Sequence, residues 1–330
     1  MPAPILIVGQ GLAGSVLGWT FEQAGIAFEI ADAGHSRAAS RVGAGIINPI
    51  TGQRIVKSRG IDRLLPRALA VYRAMETEWG VSLMRTMRVR RSFNDDRERR
   101  VFAEKNATGE LAPYAGESDA DGFWIEGAVR VDMAALIATA RTRWLADGRL
   151  REERVGPLAE LARYDVVILC TGADDCGGLA YGDVACLRAT GDILTLAVDG
   201  LAPDVILNRG HWVLPTMPGL AKAGATYTHG EASLSGEAAK AARDELERSA
   251  RRLLGGRMFD VVAQESGVRV TSPDRYPLAG RNSREPRLGI FNGLGSKGAL
   301  LAPWLAHQWV NHLTEAVPFD REVAVTRFAR

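Results

Sequence analysis

The sequence predicts an α/β protein in which a parallel sheet, supplied by both ends of the chain, is interrupted by an α+β unit of antiparallel strands. Three stretches predict it. Residues 5–32 read strand, glycine-rich turn, amphipathic helix, strand. Residues 164–173 form a second apolar run ending at a glycine, Tyr164-Asp-Val-Val-Ile-Leu-Cys-Thr-Gly-Ala. Between Gly191 and Gly230, short alternating segments separated by turn residues signal an antiparallel sheet.

The first stretch carries the strongest local signal. Ile5-Leu6-Ile7-Val8 is short and aliphatic, as a strand buried on both faces should be, and Gly9, Gly11 and Gly14 follow at G-x-G-x-x-G spacing. Gly9 allows the turn, Gly11 lets backbone approach a pyrophosphate, and Gly14 lets the next helix pack on the sheet. That helix, over Leu12 to Ala24 with Gly25 as its cap, aims its free N–H groups, those of Leu12 and Ala13 first, at the phosphates. A second strand over Ala27 to Ala31 ends in Asp32, placed to accept a ribose hydroxyl, with Ala33 beside it. The unit is Rossmann-like, and its ligand is an adenine dinucleotide. FAD and NAD share the half that this unit grips.

Bulk composition bounds the rest. With 330 residues, 46% hydrophobic and 24% charged, the chain buries a large core and is expected to form two closely joined domains. A net charge of +2 argues for no general partner. Cys170, Cys176 and Cys186 are odd in number and lack paired metal spacing, which suits a reduced compartment, with no metal expected. No apolar run reaches the length of a membrane span, and no signal-like core follows Met1, so a cytoplasmic protein is expected.

Small residues dominate from Gly34 to Gln53, with Arg37 and Arg41 among them, as suits a segment running along a dinucleotide; Ala44, Gly45 and Ile46 are its candidate contacts. Leu64 to Trp79 has helical spacing. Arg85 to Arg100 is the most charged stretch, but its interleaved acids and lack of stacking aromatics make a solvated surface the expectation and nucleic acid an unexpected partner. Asp132 caps a helix over Met133 to Leu145. Leu150 to Val155 reads as a strand, and the buried run into Thr171-Gly172 resembles the later strand of two-dinucleotide-domain flavoproteins, which closes over the FAD; Val155, Thr171 and Gly172 are candidate cofactor contacts. Ser235 to Leu254 is a helix with an acidic start and basic end.

The last third chooses the cofactor. After the strand Leu288 to Phe291 comes Asn292-Gly293-Leu294-Gly295-Ser296-Lys297-Gly298-Ala299, again a glycine-rich turn opening a helix. Its amides would face a second anionic group, which NAD does not need but a flavin does, since reduced flavin carries negative charge near N1 and C2=O. The cofactor expected is FAD.

These blocks together resemble the D-amino-acid oxidase and glycine oxidase superfamily. The blocks are the amino-terminal fingerprint, Ala39-Ser40 with Gly43-Ala44-Gly45, the run through Gly172, Gly267-Val-Arg with Asp274-Arg-Tyr-Pro-Leu-Ala-Gly, and the Gly295-Ser-Lys-Gly298 turn. The last block is closest to the oxidase half of the bifunctional enzymes that modify a tRNA wobble uridine, although the sequence carries no counterpart of their methyltransferase half. The resemblance implies a glutathione-reductase-type FAD-binding domain (1–75, 128–190 and 265–330) with an inserted α+β antiparallel-sheet substrate domain (76–127 and 191–264). It implies that Arg269 clamps a substrate carboxylate, that His211 stands near the amine, that Tyr227 and Tyr276 close the pocket, and that Lys297 lies against the flavin. No cysteine lies near the last turn, so the FAD is expected to be non-covalent. The implied reaction is oxidation of the C–N bond of an amino acid or N-substituted glycine, hydride passing to flavin N5, with imine hydrolysis and reoxidation by oxygen. An NAD dehydrogenase, an NADPH-dependent flavin monooxygenase and a tRNA-directed role stay open as alternatives.

Overall fold

The structure is a computed structural model that describes residues 5–34, 38–157, 161–174, 184, 186–230 and 236–328. Arg37 and Cys176 lie outside the described residues.

Two sheets organise the chain. The first runs in the order Leu278–Arg281, Leu288–Asn292, Val167–Leu169, Ile5–Val8, Phe28–Ala31, Leu150–Arg151. All neighbours are parallel except the antiparallel edge pair Leu278–Arg281 and Leu288–Asn292. The aliphatic run at the amino terminus occupies its middle for the reason its composition implies: all four residues are buried, Ile5 and Ile7 in one apolar cluster, Leu6 and Val8 in another across the sheet. Period-two alternation with both faces covered admits no polar residue. The next helix, Leu12–Gln23, packs against Gly298–Glu315, so the glycine-rich turns at the two ends of the chain open neighbouring helices.

The second sheet runs in the order Thr228–His229, Leu187–Ala197, Leu220–Gly224, His211–Met217, Val205–Arg209, Met84–Ser92, Gly122–Val131, Ile46–Ile47. Asp260–Thr271 pairs with Leu187–Ala197, and Ala115–Ser118 with Gly122–Val131. This sheet is mixed where the sequence predicts it antiparallel. Val205–Arg209 lies parallel to Met84–Ser92 because these strands come from separate stretches joined by a long crossover, the connection that a parallel pair needs. The Glu237–Leu254 helix covers one face through Leu246, Ala250 and Leu254.

Each of the four domain boundaries expected from the sequence falls inside an element: Ile61–Trp79, Gly122–Val131, Leu187–Ala197 and Asp260–Thr271 each run through one. No helix among the described residues is long and apolar enough to cross a membrane.

Candidate active site

A cavity of about 1740 Å³ lies between the two sheets. The first sheet supplies one wall, where the chain leaves its strands at their carboxyl ends. Gly9, Gly11, Leu12 and Ala13 line it from the first turn, Asp32 and Ala33 from the second strand, Ala44, Gly45 and Ile46 from the small-residue segment, and Val155, Thr171 and Gly172 from the later strands. Gly295, Ser296, Gly298 and Ala299 complete that wall from the last turn. The second sheet contributes Trp212, Thr226, Tyr227 and Arg269.

Close approach explains the glycine spacing. A Cβ on Gly14 would lie 2.0 Å from the carbonyl oxygen of Gly9, so any side chain there breaks the turn. A Cβ on Gly298 would lie 3.0 Å from Leu12 Cδ2, which places the carboxy-terminal turn directly against the amino-terminal one. The Leu12–Gln23 helix starts at Gly11 and the Gly298–Glu315 helix at Lys297, both without a side-chain cap and without an acid in the first turn. Two helix termini thus turn their positive dipole ends to one cavity, a constellation suited to an anionic ligand. The Leu12 amide meets Ser40 Oγ at 3.2 Å.

Asp32 is buried where the fingerprint predicts an acid. Its Oδ1 accepts from the Gln10 amide at 2.9 Å, and its Oδ2 from Arg141 Nη1 at 3.0 Å and the Gly34 amide at 3.2 Å. Gln10, itself fully buried, donates to Ser15 Oγ and to the Ile137 carbonyl, tying the turn to the helix that carries Arg141.

Arg269 stands on the Asp260–Thr271 strand opposite Ala189. Its Nη1 donates to the Thr226 carbonyl at 3.2 Å, and it forms no ion pair with any described residue. Burial pushes its guanidinium below the usual range, with Tyr227 and Asp192 pulling the other way. Tyr227 is exposed at the cavity edge, 5.7 Å from the Arg269 guanidinium, with His229 edge-on to its ring.

The remaining sequence-predicted residues stand apart from the cavity lining. His211 Nε2 lies 3.0 Å from Glu245 of the covering helix. The Tyr276 ring is buried under the Arg59 guanidinium at 4.0 Å and packs edge-on to Trp304. Lys297 is flanked by cavity-lining Ser296 and Gly298, yet its ammonium is held below the usual lysine range by partial burial and by Arg59. Arg41 is exposed in the short helix Ala39–Val42. Gly14, in the first turn of the Leu12–Gln23 helix, and Gly293, at positive φ after the Leu288–Asn292 strand, lie outside the lining. Of the basic stretch, Arg88 pairs with Glu126, Arg90 with Asp119, Arg91 with Glu98 and Arg99 with Asp96, so its charge is largely spent on neighbouring acids.

Sequence reasoning missed Ser40, Gln10, Arg141, Asp192 and Thr226. Only Gln10 and Ser40 carried a signal, being polar residues beside the glycine turn and within the small-residue segment; the others act across large sequence separations.

The fold and the paired helix termini suit an anionic dinucleotide, and comparison names the class. Residues 4–311 match the DAO family profile, described as FAD dependent oxidoreductase, and the chain belongs to that family. It is 29% identical over 331 residues to the tRNA 5-methylaminomethyl-2-thiouridine biosynthesis bifunctional protein MnmC of Maricaulis maris (strain MCS10), covering 96% of this chain and 52% of that protein. The MnmC of Azoarcus sp. (strain BH72) is 26% identical, covering 96% and 58%. The chain thus spans about half the length of these curated relatives. Among solved structures, the iminodiacetate oxidase of Chelativorans sp. BNC1 and the glycine oxidase of Geobacillus kaustophilus share the fold. Each has a TM-score of 0.77 at 20% identity, covering 97% and 98% of this chain and 98% of theirs. The residues present fit FAD: two helix termini whose own N-cap residues, Gly11 and Lys297, place no side chain over them meet at Leu12 and Gly298, and the acid at Asp32 stands beside the first.

Proposed function

We propose that this FAD-dependent oxidoreductase oxidises the C–N bond of an amino acid or N-substituted glycine. The observation that carries the reading is Arg269: a guanidinium without an ion pair among the described residues, in the wall of the cavity onto which both glycine turns open. A planar two-pronged donor in a sheltered place suits a carboxylate. The family membership and the similarity to proteins titled glycine oxidase and iminodiacetate oxidase support it.

In this reading Gly11, Leu12, Ala13 and Asp32 hold the adenosine diphosphate end of FAD, Ala44 to Ile46, Val155, Thr171 and Gly172 flank it, and Gly295 to Ala299 face the ring. Bound non-covalently, FAD supplies the two-electron acceptor that takes hydride from the substrate carbon. Arg269 fixes the carboxylate so that this carbon is held in one orientation, and positioning of that kind is the protein's main contribution. Tyr227 covers the open side of the cavity. Water then splits the imine product into a carbonyl compound and a free amine, and oxygen serves as the final acceptor. The unit of parallel strands acts as the cofactor domain and the larger sheet as an inserted substrate domain.

A second reading rests on the relatives' printed name: the N-substituted glycine is carried on tRNA. The same Arg269 would serve it. Retention of the protein on tRNA with a steep salt dependence supports that reading, and its absence favours the free small molecule. For either substrate, Arg269→Ala is expected to raise KM for carboxylate-bearing amines at least about tenfold, the loss of one charge-assisted pair, with FAD still bound. An unchanged KM removes Arg269 from the clamp.

A further inference from the structure

The clamp proposed above needs a guanidinium aimed into the cavity, and the chain builds a seat for it. Arg269 faces Ala189 across the strand pair, and its side chain reaches along the sheet to Gly191, two residues on and on the same face. A Cβ built on Gly191 would lie 2.3 Å from Arg269 Nη1 and 2.6 Å from Nη2. The φ of Gly191 is outside the left-handed region, so its backbone would accept any residue, and glycine is required for space alone. The guanidinium occupies the volume that a side chain would fill.

One wall of the seat is the Thr226 carbonyl that accepts from Nη1 at 3.2 Å, and Thr226 is fixed to Asp192 three times over. The Thr226 amide donates to the Asp192 carbonyl at 3.3 Å, the Asp192 amide donates to Thr226 Oγ1 at 2.8 Å, and Thr226 Oγ1 donates to Asp192 Oδ2 at 3.3 Å. Asp192 is wholly buried; its Oδ1 accepts from Ser266 Oγ at 2.5 Å and Gln264 Nε2 at 3.1 Å. Asp192 has no ion pair among the described residues, and burial of such a carboxylate is costly unless neutral donors satisfy it, as they do here. What this expense secures is the position of Thr226, and hence the direction of Arg269.

We infer that Gly191, Thr226 and Asp192 are positioning residues that aim Arg269 at the substrate carboxylate, Gly191 by omission of a side chain and the other two by fixing one carbonyl. This inference rests on the reading of Arg269 as the clamp.

The test uses FAD-loaded protein and two probes, acetate as a minimal carboxylate and acetamide as its uncharged counterpart, with affinity read from the flavin absorbance change. Arg269→Ala is expected to weaken acetate at least about tenfold, Gly191→Ala by a similar factor, and the double variant no more than Arg269→Ala alone, since both act through one group. Acetamide affinity and flavin content should not move. Gly191→Ala also presses on the Thr226 carbonyl at 2.6 Å. Thr226→Val puts no methyl group against that carbonyl but removes both hydroxyl bonds to Asp192, leaving the amide tie alone, and should weaken acetate about threefold to tenfold. If Arg269→Ala weakens acetate while Gly191→Ala and Thr226→Val stay within twofold of the parent, or if the double variant shows additive losses, the seat is refuted and the clamp stands. If acetate affinity ignores Arg269→Ala, the clamp itself fails.

Discussion

Arg141 donates from Nη1 to Asp32 Oδ2 at 3.0 Å, across 109 residues of sequence, and bonds Gln10 Oε1 from the same nitrogen at 3.1 Å. Its Nη2 meets Glu152. The acid at the end of the second strand is thereby held in one rotamer against the glycine turn, with Gln10 and Arg141 on either side. Removing Arg141 takes one charge-assisted bond from a buried carboxylate. Arg141→Ala is expected to loosen FAD about tenfold in titrations of apoprotein, with Arg141→Lys recovering part of the loss. Equal FAD affinity in Arg141→Ala would mean that Asp32 needs no such support.

The glycine turn separates packing from ligand approach. Gly14→Ala drives a Cβ to 2.0 Å from the Gly9 carbonyl, whereas Gly11→Ala meets only Ser40 Oγ, at 3.1 Å. Gly14→Ala should therefore cost about 3 kcal/mol or more of stability in denaturant titrations and lose FAD as well. Gly11→Ala should fold with a midpoint close to the parent's and still bind FAD weakly, because its methyl group blocks the pyrophosphate's approach.

Arg327 of the last short helix bonds Asp274 through both Nε and Nη2, at 2.7 and 3.0 Å. Burial pushes the Asp274 carboxyl up, but Arg327, Ser272 and the Tyr276 amide outweigh it and bring it down to about 2. A carboxyl lowered on folding contributes stability above its unfolded pKa and loses it as pH falls through the folded value, here between about pH 4 and pH 2. Asp274 is 43% exposed, so solvent screening limits the contribution to about 1 kcal/mol or less. Arg327→Ala should flatten the stability profile over that acidic window while leaving its shape near neutrality unchanged.

Lys297 starts the carboxy-terminal helix but stands beside Arg59. Its neighbours Ser296 and Gly298 line the cavity, whereas Lys297 does not. Lys297→Met should retain FAD and alter kcat by no more than about twofold to fivefold, the size of one charge at a helix terminus. A loss of a hundredfold would restore the ammonium to a direct role against the ring.

Local pattern made much of this fold legible. The four-residue aliphatic strand, the helix from Leu12, the acid at Asp32, the Asp132 cap and the helix near Leu64 to Trp79 all follow from periodicity and capping, which operate within a few residues. The Asp132 side chain accepts from the Ala135 amide at 3.1 Å, as its position predicts. What pattern could not show is set by chain segments far apart. The parallel pairing of Val205–Arg209 with Met84–Ser92 depends on a crossover, not on local alternation. His211 reads as a residue near the substrate amine until the helix that carries Glu245 is laid beside it, and Tyr276 reads as a pocket residue until Arg59 covers it. Gly191 reads as one strand glycine among many, because the space it leaves is filled by a side chain from another strand.

The central claim is that one cavity joins a flavin grip to a carboxylate clamp for an amine. Mixing the yellow holoenzyme anaerobically with amino acids and N-alkyl glycines tests it most directly. The account predicts that at least one carboxylate-bearing amine bleaches the flavin absorbance and that Arg269→Ala raises the concentration needed at least about tenfold. Bleaching by NADPH without any amine, or an amine response indifferent to Arg269, would contradict it.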